Sequence, residues 1–519
     1  MSTVLNATLG IDIGTTSVKS VFLSEDGGII SESEVQLNIQ RIDSFSVEQN
    51  PDDWWVATCK SVREIIKIVD GRVNLLGIGL SGQMHSAVFL DKKNDVIRPA
   101  ILWNDVRTGA ECEFINSNIG VDVLTRTVGN IAIEGFTAPK VLWLRNQEPN
   151  NYKKVKKLLL PKDFIRFKMT GEFVTEPSDA AGTLLFDIYQ GKWSEEILSK
   201  LSIDESILPS VVNSCDVSGF ISKEASLELG VTTGLPVFGG GGDNASGAVA
   251  SGVVSPGLIQ VSIGTSGTLL TPIKDITNLG DSKLHHFSHV TDNLWYLMGV
   301  ILSAGESVRW LKGILNSRNN YGDFVSSVNN VPTGSKDLFF LPYLSGERTP
   351  HNDPNARGCF IGLSSQHSSE DLIRAVIEGV CYAIRDSLEL VNKYDVELAD
   401  SVRLIGGASN SDVWTKILAN ILGKSVYSVN FNGGPSIGAA IIGLVGVGVF
   451  KSLDDAINHL VTITQEISPE DSNLNDYQER YEKYVRLYVV TLLLINRFGI
   501  FWTQNYVEFS RGGAGTGQK

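Results

Sequence analysis

The sequence predicts a two-lobed, mixed α/β protein with a ligand cleft between its lobes, and three observations predict it. Its 519 residues exceed one ordinary domain of about 100–200 residues. Its opening reads strand, strand, strand, helix, strand, the order of a mixed sheet covered by helices. A strand-to-turn segment of the first half also returns about half a chain later: Ile11-Asp12-Ile13-Gly14-Thr15-Thr16-Ser17 is echoed by Val261-Ser262-Ile263-Gly264-Thr265-Ser266-Gly267.

The elements follow in order. Residues 7–13 form an apolar strand, and after the turn at Gly14 a second strand runs over 18–23. Glu25-Asp26-Gly27-Gly28 reverses the chain, and a third strand pairs back from Ile29. Trp55, Val62, Ile65, Ile66 and Val69 recur at helical spacing, so 54–69 is a helix, and 73–80 is a buried strand. The strand 236–238 leads into four glycines. The boundary between lobes falls near 252–256, giving lobes over 1–252 and 253–488 and an atypical tail over 489–519. In the second lobe helices are expected over 304–315, 369–392, 412–422 and 437–446, with a strand over 401–405.

Composition narrows the function classes. The 58 acidic residues exceed the 44 basic ones by 14, which argues against nucleic acid or an anionic membrane as the main partner. Five scattered cysteines with no Cys-x-x-Cys exclude a disulfide framework or zinc site. No charged start precedes an apolar run at the N-terminus, and the most apolar stretch, 489–502, is interrupted by Arg497 and falls short of the about 20 residues a membrane span needs. The expectation is a cytoplasmic protein with reduced thiols.

The chemistry concentrates in glycine-rich turns. Asp12, Gly14, Thr15 and Thr16 lie in one turn: Gly14 lets backbone approach an anion, the threonines add hydroxyls, and Asp12 suits Mg²⁺. A plain hairpin with Asp12 capping the turn is the alternative. The second copy, Gly264-Thr265-Ser266, carries Ser262 where the first has Asp12, so two loops share one metal carboxylate, as an asymmetric ligand such as Mg·ATP requires. Gly406-Gly407-Ala408-Ser409-Asn410 follows a strand and would pack an adenine ring on backbone, or else simply cap a helix. Gly433 to Ser436 precedes a small-residue helix suited to packing one lobe on the other. Gly239-Gly240-Gly241-Gly242 strips the wall so that a ligand can reach Asp243, a carboxylate able to take a proton from an attacking hydroxyl. An N-cap is its alternative reading. Gln83-Met84-His85 and Trp103-Asn104-Asp105 could grip hydroxyls, or be structural. The formal Gly77-x-Gly79-x-x-Gly82 lacks the following helix a dinucleotide site needs, and His285, His286 and His289 lack a carboxylate cluster, so both are read as structural.

Over about residues 9–488 the sequence resembles the FGGY family of carbohydrate kinases. The resemblance rests on Gly135-Phe136-Thr137-Ala138-Pro139-Lys140-Val141-Leu142-Trp143, on Gly358 to Leu363 continuing through Asp371 to Glu378, and on Leu159 to Asp163, Ser178 to Thr183 and Leu341 to Pro350. It implies the two-lobed actin/Hsp70/sugar-kinase (ribonuclease H-like) fold and, through Gly82 to His85 and Ile101 to Asp105, the branch acting on D-xylulose with ATP and Mg²⁺. It implies Asp243 as general base and Met84, His85 and Asn244 at the sugar, with Trp103, Asn104 and Asp105 beside them. It places Asp12 near the metal, Gly14, Thr15, Thr16, Gly264, Thr265 and Ser266 at the phosphates, and Gly407 and Asn410 at the adenosine. A kinase for another ketose or polyol such as ribulose, and a non-catalytic nucleotide switch of the same fold, are the rivals. A homodimer is compatible with the sequence. About 30 residues extend beyond the usual end of the family, ending in the Gly-rich 511–519.

Overall fold

A computed structural model describes residues 4–43, 45–276, 283–431 and 434–498. Strand β1 (Leu5–Ile13) is antiparallel to β2 (Ser17–Ser24), and β2 to β3 (Ile29–Gln36). Helix α1 (Pro51–Val69) starts where Asn50 accepts the Asp52 N–H and Pro51 takes the first helical position. Its apolar face, with Trp54, Val62, Ile65 and Val69 buried, covers β2 and β3. Strand β4 (Val73–Gly82) then lies parallel to β1. After helices α2 (Thr137–Gln147) and α3 (Pro161–Thr170), the strands β5 (Val217–Phe220), β6 (Pro236–Phe238) and β7 (Gly241–Gly242) complete the first sheet. Its order is β5-β6-β4-β1-β2-β3, with β7 pairing β4, and α4 (Asp243–Ser251) leaves its edge.

The second sheet repeats the plan. Strand β8 (Ile259–Ile263) is antiparallel to β9 (Gly267–Ile273). Strands β10 (His285–Ser288) and β11 (Trp295–Ile301) extend that side. After α5 (Gly305–Ile314) and the long α6 (Ser369–Val391), β12 (Ser401–Ile405) runs parallel to β8. Helix α7 (Asp412–Leu422), β13 (Ser425–Val429), helix α8 (Pro435–Gly446), β14 (Ile463–Ile467) and α9 (Asp471–Phe498) follow. The order is β10-β11-β9-β8-β12-β13-β14. The repeated Gly-Thr segments are therefore equivalent hairpin turns: Gly14 N–H donates to Ser17 O (3.0 Å) and Gly264 N–H to Ser266 O (2.9 Å).

Helix α8 joins the two halves. It packs on β1, β4 and α4, and this approach demands glycines. A Cβ at Gly10 would sit 1.9 Å from Ser436 O, one at Gly79 1.8 Å from Ala439 O, and one at Gly438 1.8 Å from Ser246 O. Thr8 Oγ1 donates to Ala440 O (2.8 Å) across the same contact. The glycine pattern of β4 thus serves helix packing. Gly433 lies outside the described residues.

Helix α9 runs through residue 488 without a break, so the first part of the predicted tail is helical; residues 499–519 lie outside the described residues. Its Tyr477 and Tyr481 hydroxyls donate to Glu378 (2.8 Å) and Asp386 (2.7 Å) of α6, and the hydroxyls of Tyr484 and Tyr343 lie 3.2 Å apart. Among the described residues no helix is long and apolar enough to cross a membrane, and all five cysteines are free thiols.

Candidate active site

Three strand ends meet at the carboxyl edge of the first sheet. In register, Asp12 of β1 stands opposite Ser81 of β4, and Ser81 opposite Gly241 of β7. Asp243 follows two residues later at the first position of α4, whose cap is Gly242, so it is not the N-cap itself. Its Oδ1 accepts the Asn244 N–H (2.7 Å) and Asn244 Nδ2–H (3.0 Å). Burial raises the Asp243 carboxyl to about 6, against the pull of those hydrogen bonds. Burial and then the Asp243 charge raise Asp12 to about 7, while Ser81 and Lys19 oppose the rise. Asp12 Oδ1 is buried without a partner. An unsatisfied carboxylate oxygen beside a second carboxylate fits a divalent cation held by one or two carboxylates and substrate phosphates. Among the described residues no cluster of three ligating side chains exists, so the protein alone builds no closed metal cage.

The glycines before Asp243 work differently from the expectation that they clear a ligand path. A Cβ at Gly239 would meet Asn213 O at 2.3 Å, at Gly240 Leu80 O at 1.9 Å, at Gly241 Val290 Cγ1 at 2.6 Å and at Gly242 Met84 Cγ at 2.9 Å. They let protein, not ligand, close on the loop. Gly240 in addition needs its left-handed φ of +74°.

A fully buried charge network pins this loop. Arg166 of α3 donates to Phe238 O (2.6 Å) and Gly239 O (2.7 Å). The Gly242 N–H donates to Ser178 Oγ (3.0 Å), whose own hydroxyl donates to Glu176 (2.8 Å). Lys162 pairs with Asp163 (2.8 Å), Asp179 (3.2 Å) and Glu176 (3.5 Å), all with no exposed side-chain surface. Burial drives the Asp179 carboxyl well above its ordinary range, despite Lys162. Sequence reasoning saw the segments 159–163 and 178–183 only as points of resemblance. Their work is to hold the backbone that presents Asp243.

On the other side of the cleft edge stand Met84 and His85. His85 has a left-handed φ of +69°, a strained state for a residue with a side chain. Its carbonyl is held by Thr137 Oγ1 (2.9 Å) and Lys140 Nζ (2.9 Å), both on α2. Lys140 Nζ also donates to Gly135 O (2.6 Å), so the segment 135–140 is the shelf on which His85 rests. Burial lowers Lys140 to about 7 and His85 to about 3. His85 is thus neutral. Nδ1–H donates to Gly182 O (2.6 Å), and Nε2 is left as an acceptor. Asn244 Nδ2 lies 4.0 Å from Met84 Sδ, so base and pair adjoin. Asn104 Oδ1 is buried without a partner.

Four expected ligand groups, on Trp103, Thr15, Gln83 and Asp105, are spent inside the protein. Trp103 Nε1–H donates to Thr15 Oγ1 (2.9 Å), which donates to Gln83 Oε1 (3.2 Å), so the Thr15 hydroxyl is not free for phosphate. Gln83 is buried and donates to Gly14 O (3.3 Å). Asp105 turns away to a bidentate pair with Arg107 and accepts the Val47 N–H (2.7 Å). Thr16 is exposed at the turn.

In the second lobe a cavity of about 200 Å³ brings Gly264 and Thr265 together with Gly407 and Ala408. A Cβ at Gly407 would meet open space, whereas one at Gly406 would strike Ile263 O at 2.6 Å. Of this glycine pair, Gly407 is the one that offers bare backbone to a ligand. Asn410 closes the short helical turn 407–410, and Ser266 lies beyond the cavity wall. Sequence reasoning missed Gly305, Glu306, Arg309 and Tyr321, which complete the wall. The start of α5 backs onto the turn, with Gly305 N–H on Gly264 O (2.9 Å) and Glu306 N–H on Thr265 O (3.1 Å). The available signal was a glycine opening a helix just after a strand. His286 and His289 are buried and lowered to about 4 by burial, and no metal cluster forms around them among the described residues.

Comparisons with known proteins agree over nearly the whole chain. The N-terminal domain of the FGGY family of carbohydrate kinases matches residues 7–250, and its C-terminal domain matches 259–447. A xylulose kinase of Staphylococcus xylosus is 38% identical over 480 residues, covering 92% of this chain and 99% of the relative. One of Escherichia coli K12 is 36% identical over 489 residues, covering 94% and 99%. A crystal structure of a "xyloylose kinase" from Brucella ovis superposes with a TM-score of 0.86 at 34% identity, over 94% of this chain and 99% of that one.

Proposed function

The chain belongs to the FGGY family of carbohydrate kinases, and from that membership we propose that it transfers the γ-phosphoryl group of ATP to the terminal hydroxyl of D-xylulose, giving D-xylulose 5-phosphate. The observation that carries the chemistry is the pair of partly buried carboxylates, Asp12 and Asp243, at adjoining strand ends of the first sheet. The substrate class follows from near-full-length relatives that are xylulose kinases. They do not favour the polyol-kinase and nucleotide-switch alternatives.

Asp243 takes the proton of the attacking hydroxyl as its bond to phosphorus forms. A carboxyl raised to about 6 is ionised at neutral pH yet basic enough to accept a proton. Met84 and Asn244 flank the base, and the bare Nε2 of neutral His85 accepts a hydrogen bond from a sugar hydroxyl. The Gly14 and Gly264 N–H groups close the two turns, so the backbone N–H groups that follow them, at Thr15, Thr16 and Thr265, receive the phosphates, and the open face of Gly407 receives the adenosine. Asp12 would hold Mg²⁺, which when bound neutralises charge on the phosphates. Lobe closure excludes water from the transfer.

The test is ADP release with Mg·ATP and D-xylulose, D-ribulose, glycerol or no sugar. D-Xylulose should give the fastest release. Preference for another sugar would overturn the substrate. Asp243→Ala should cut turnover by about 10²–10⁴-fold, the usual worth of a general base, while the protein stays folded by circular dichroism. Wild-type turnover in that variant would sink the base assignment.

A further inference from the structure

One cation in the cleft is left without work by the mechanism above. Arg348 belongs to the second lobe, and its neighbours tie the segment to β11. Thr349 N–H donates to Val300 O (3.1 Å), Val300 N–H to Thr349 Oγ1 (3.0 Å), and Leu302 N–H to Glu347 Oε1 (3.1 Å). Between these anchors the Arg348 side chain crosses toward the first lobe. A Cβ at Gly135 would lie 3.6 Å from its Nη2 and 3.9 Å from Nη1, and 3.1 Å from Trp103 O. The guanidinium therefore reaches the wall made of Trp103, Gly135, Lys140 and His85.

No protein group there answers it. Among the described residues the guanidinium has neither a hydrogen bond nor an ion pair; Glu134 and Glu347 act on it through charge alone. Glu347 spends Oε1 on the Leu302 and Arg348 N–H groups. Lys140 is committed to two carbonyls, and His85 and His285 are held neutral, in part by the Arg348 charge itself. Space remains beside it: Arg348 lines an interlobe cavity of about 210 Å³ with Asn130 and Ile133 on one wall and His285 on the other.

An unpaired, partly buried guanidinium costs stability. Its planar fork of donors suits a carbonyl with an adjacent hydroxyl. Resting on the D-xylulose kinase reading, we propose that Arg348 is a specificity-determining residue, which donates to the keto and hydroxyl oxygens at the end of the sugar away from the accepting hydroxyl. It joins second lobe to substrate, so a sugar that offers those oxygens is gripped from both lobes.

Such a residue has a signature opposite to that of a structural arginine. Arg348→Met should raise the KM for D-xylulose at least tenfold and move the KM for ATP less than twofold. Its melting temperature without sugar should equal or exceed that of the wild type, and the shift that D-xylulose produces should disappear. Arg348→Lys, which keeps the charge but loses the fork, should show a smaller rise in the sugar KM, and it decides the matter if the Met variant does not fold. An unchanged KM for D-xylulose with an unchanged sugar-induced shift in either folded variant would overturn the role of Arg348. Wild-type protein with no D-xylulose-dependent ADP release would overturn the kinase reading instead, so the two failures are distinguishable.

Discussion

Asp12 and Asp243 are acids that burial makes reluctant to ionise, and this has two measurable consequences. The Asp243 carboxyl moves from an ordinary 3.8 to about 6. The free enzyme should therefore lose kcat/KM as pH falls below about 6, approaching tenfold per unit, and a profile flat down to pH 5 would contradict Asp243 as base. The stability effect has the opposite sign. A raised carboxyl favours the folded state below its ordinary value and loses that advantage as pH rises toward the folded value. Asp243→Asn should thus raise the melting temperature relative to wild type more at pH 8 than at pH 5; an equal change at both would show that the charge is not strained. Both acids were legible in the sequence, because a carboxylate at the end of an apolar strand beside glycine is a local pattern. The loss of the Thr15 hydroxyl to Gln83 and Trp103 was not, since those partners lie 68 and 88 residues away.

The glycines divide by what their missing side chains would meet. Gly79→Ala would drive a Cβ into the Ala439 carbonyl where α8 crosses β4, and should destabilise by about 1–3 kcal/mol or more in urea unfolding, the usual cost of overpacking. Gly407→Ala adds its Cβ in open space; it should leave unfolding nearly unchanged and raise the KM for ATP. Reversal of that order would refute the packing role of Gly79 and the ligand role of Gly407 together. Ser178→Ala removes the acceptor of the Gly242 N–H and should lower kcat more than it raises the sugar KM, because it acts on the base through the backbone. The strands and helices themselves were read nearly to their ends. The helix 412–422 and the strand 401–405 match residue for residue, and the start of α1 is earlier than expected because Asn50 and Pro51 supply a cap ahead of the apolar spacing.

The molecule presents one hairpin plan twice, with the carboxylates on one sheet and the bare glycine backbone on the other. A nucleotide bridging them stabilises the folded state by mass action, by about 2.7 kcal/mol at a hundredfold excess over its Kd. Mg²⁺ with ADP should raise the melting temperature more than ADP with EDTA; equal shifts would leave Asp12 without a metal to hold. The sequence by itself determined the duplication, the two Gly-Thr turns, the acids at their strand end and the family, because each is written in residues adjacent along the chain. Only the tertiary structure decided that the four glycines before Asp243 admit protein rather than ligand. It alone put Arg166 and Ser178 under that loop, and brought Arg348 from the second lobe to Trp103 and Gly135 in the first. These are contacts between residues tens to hundreds of positions apart, where burial and hydrogen-bond geometry choose the partner and no local pattern can.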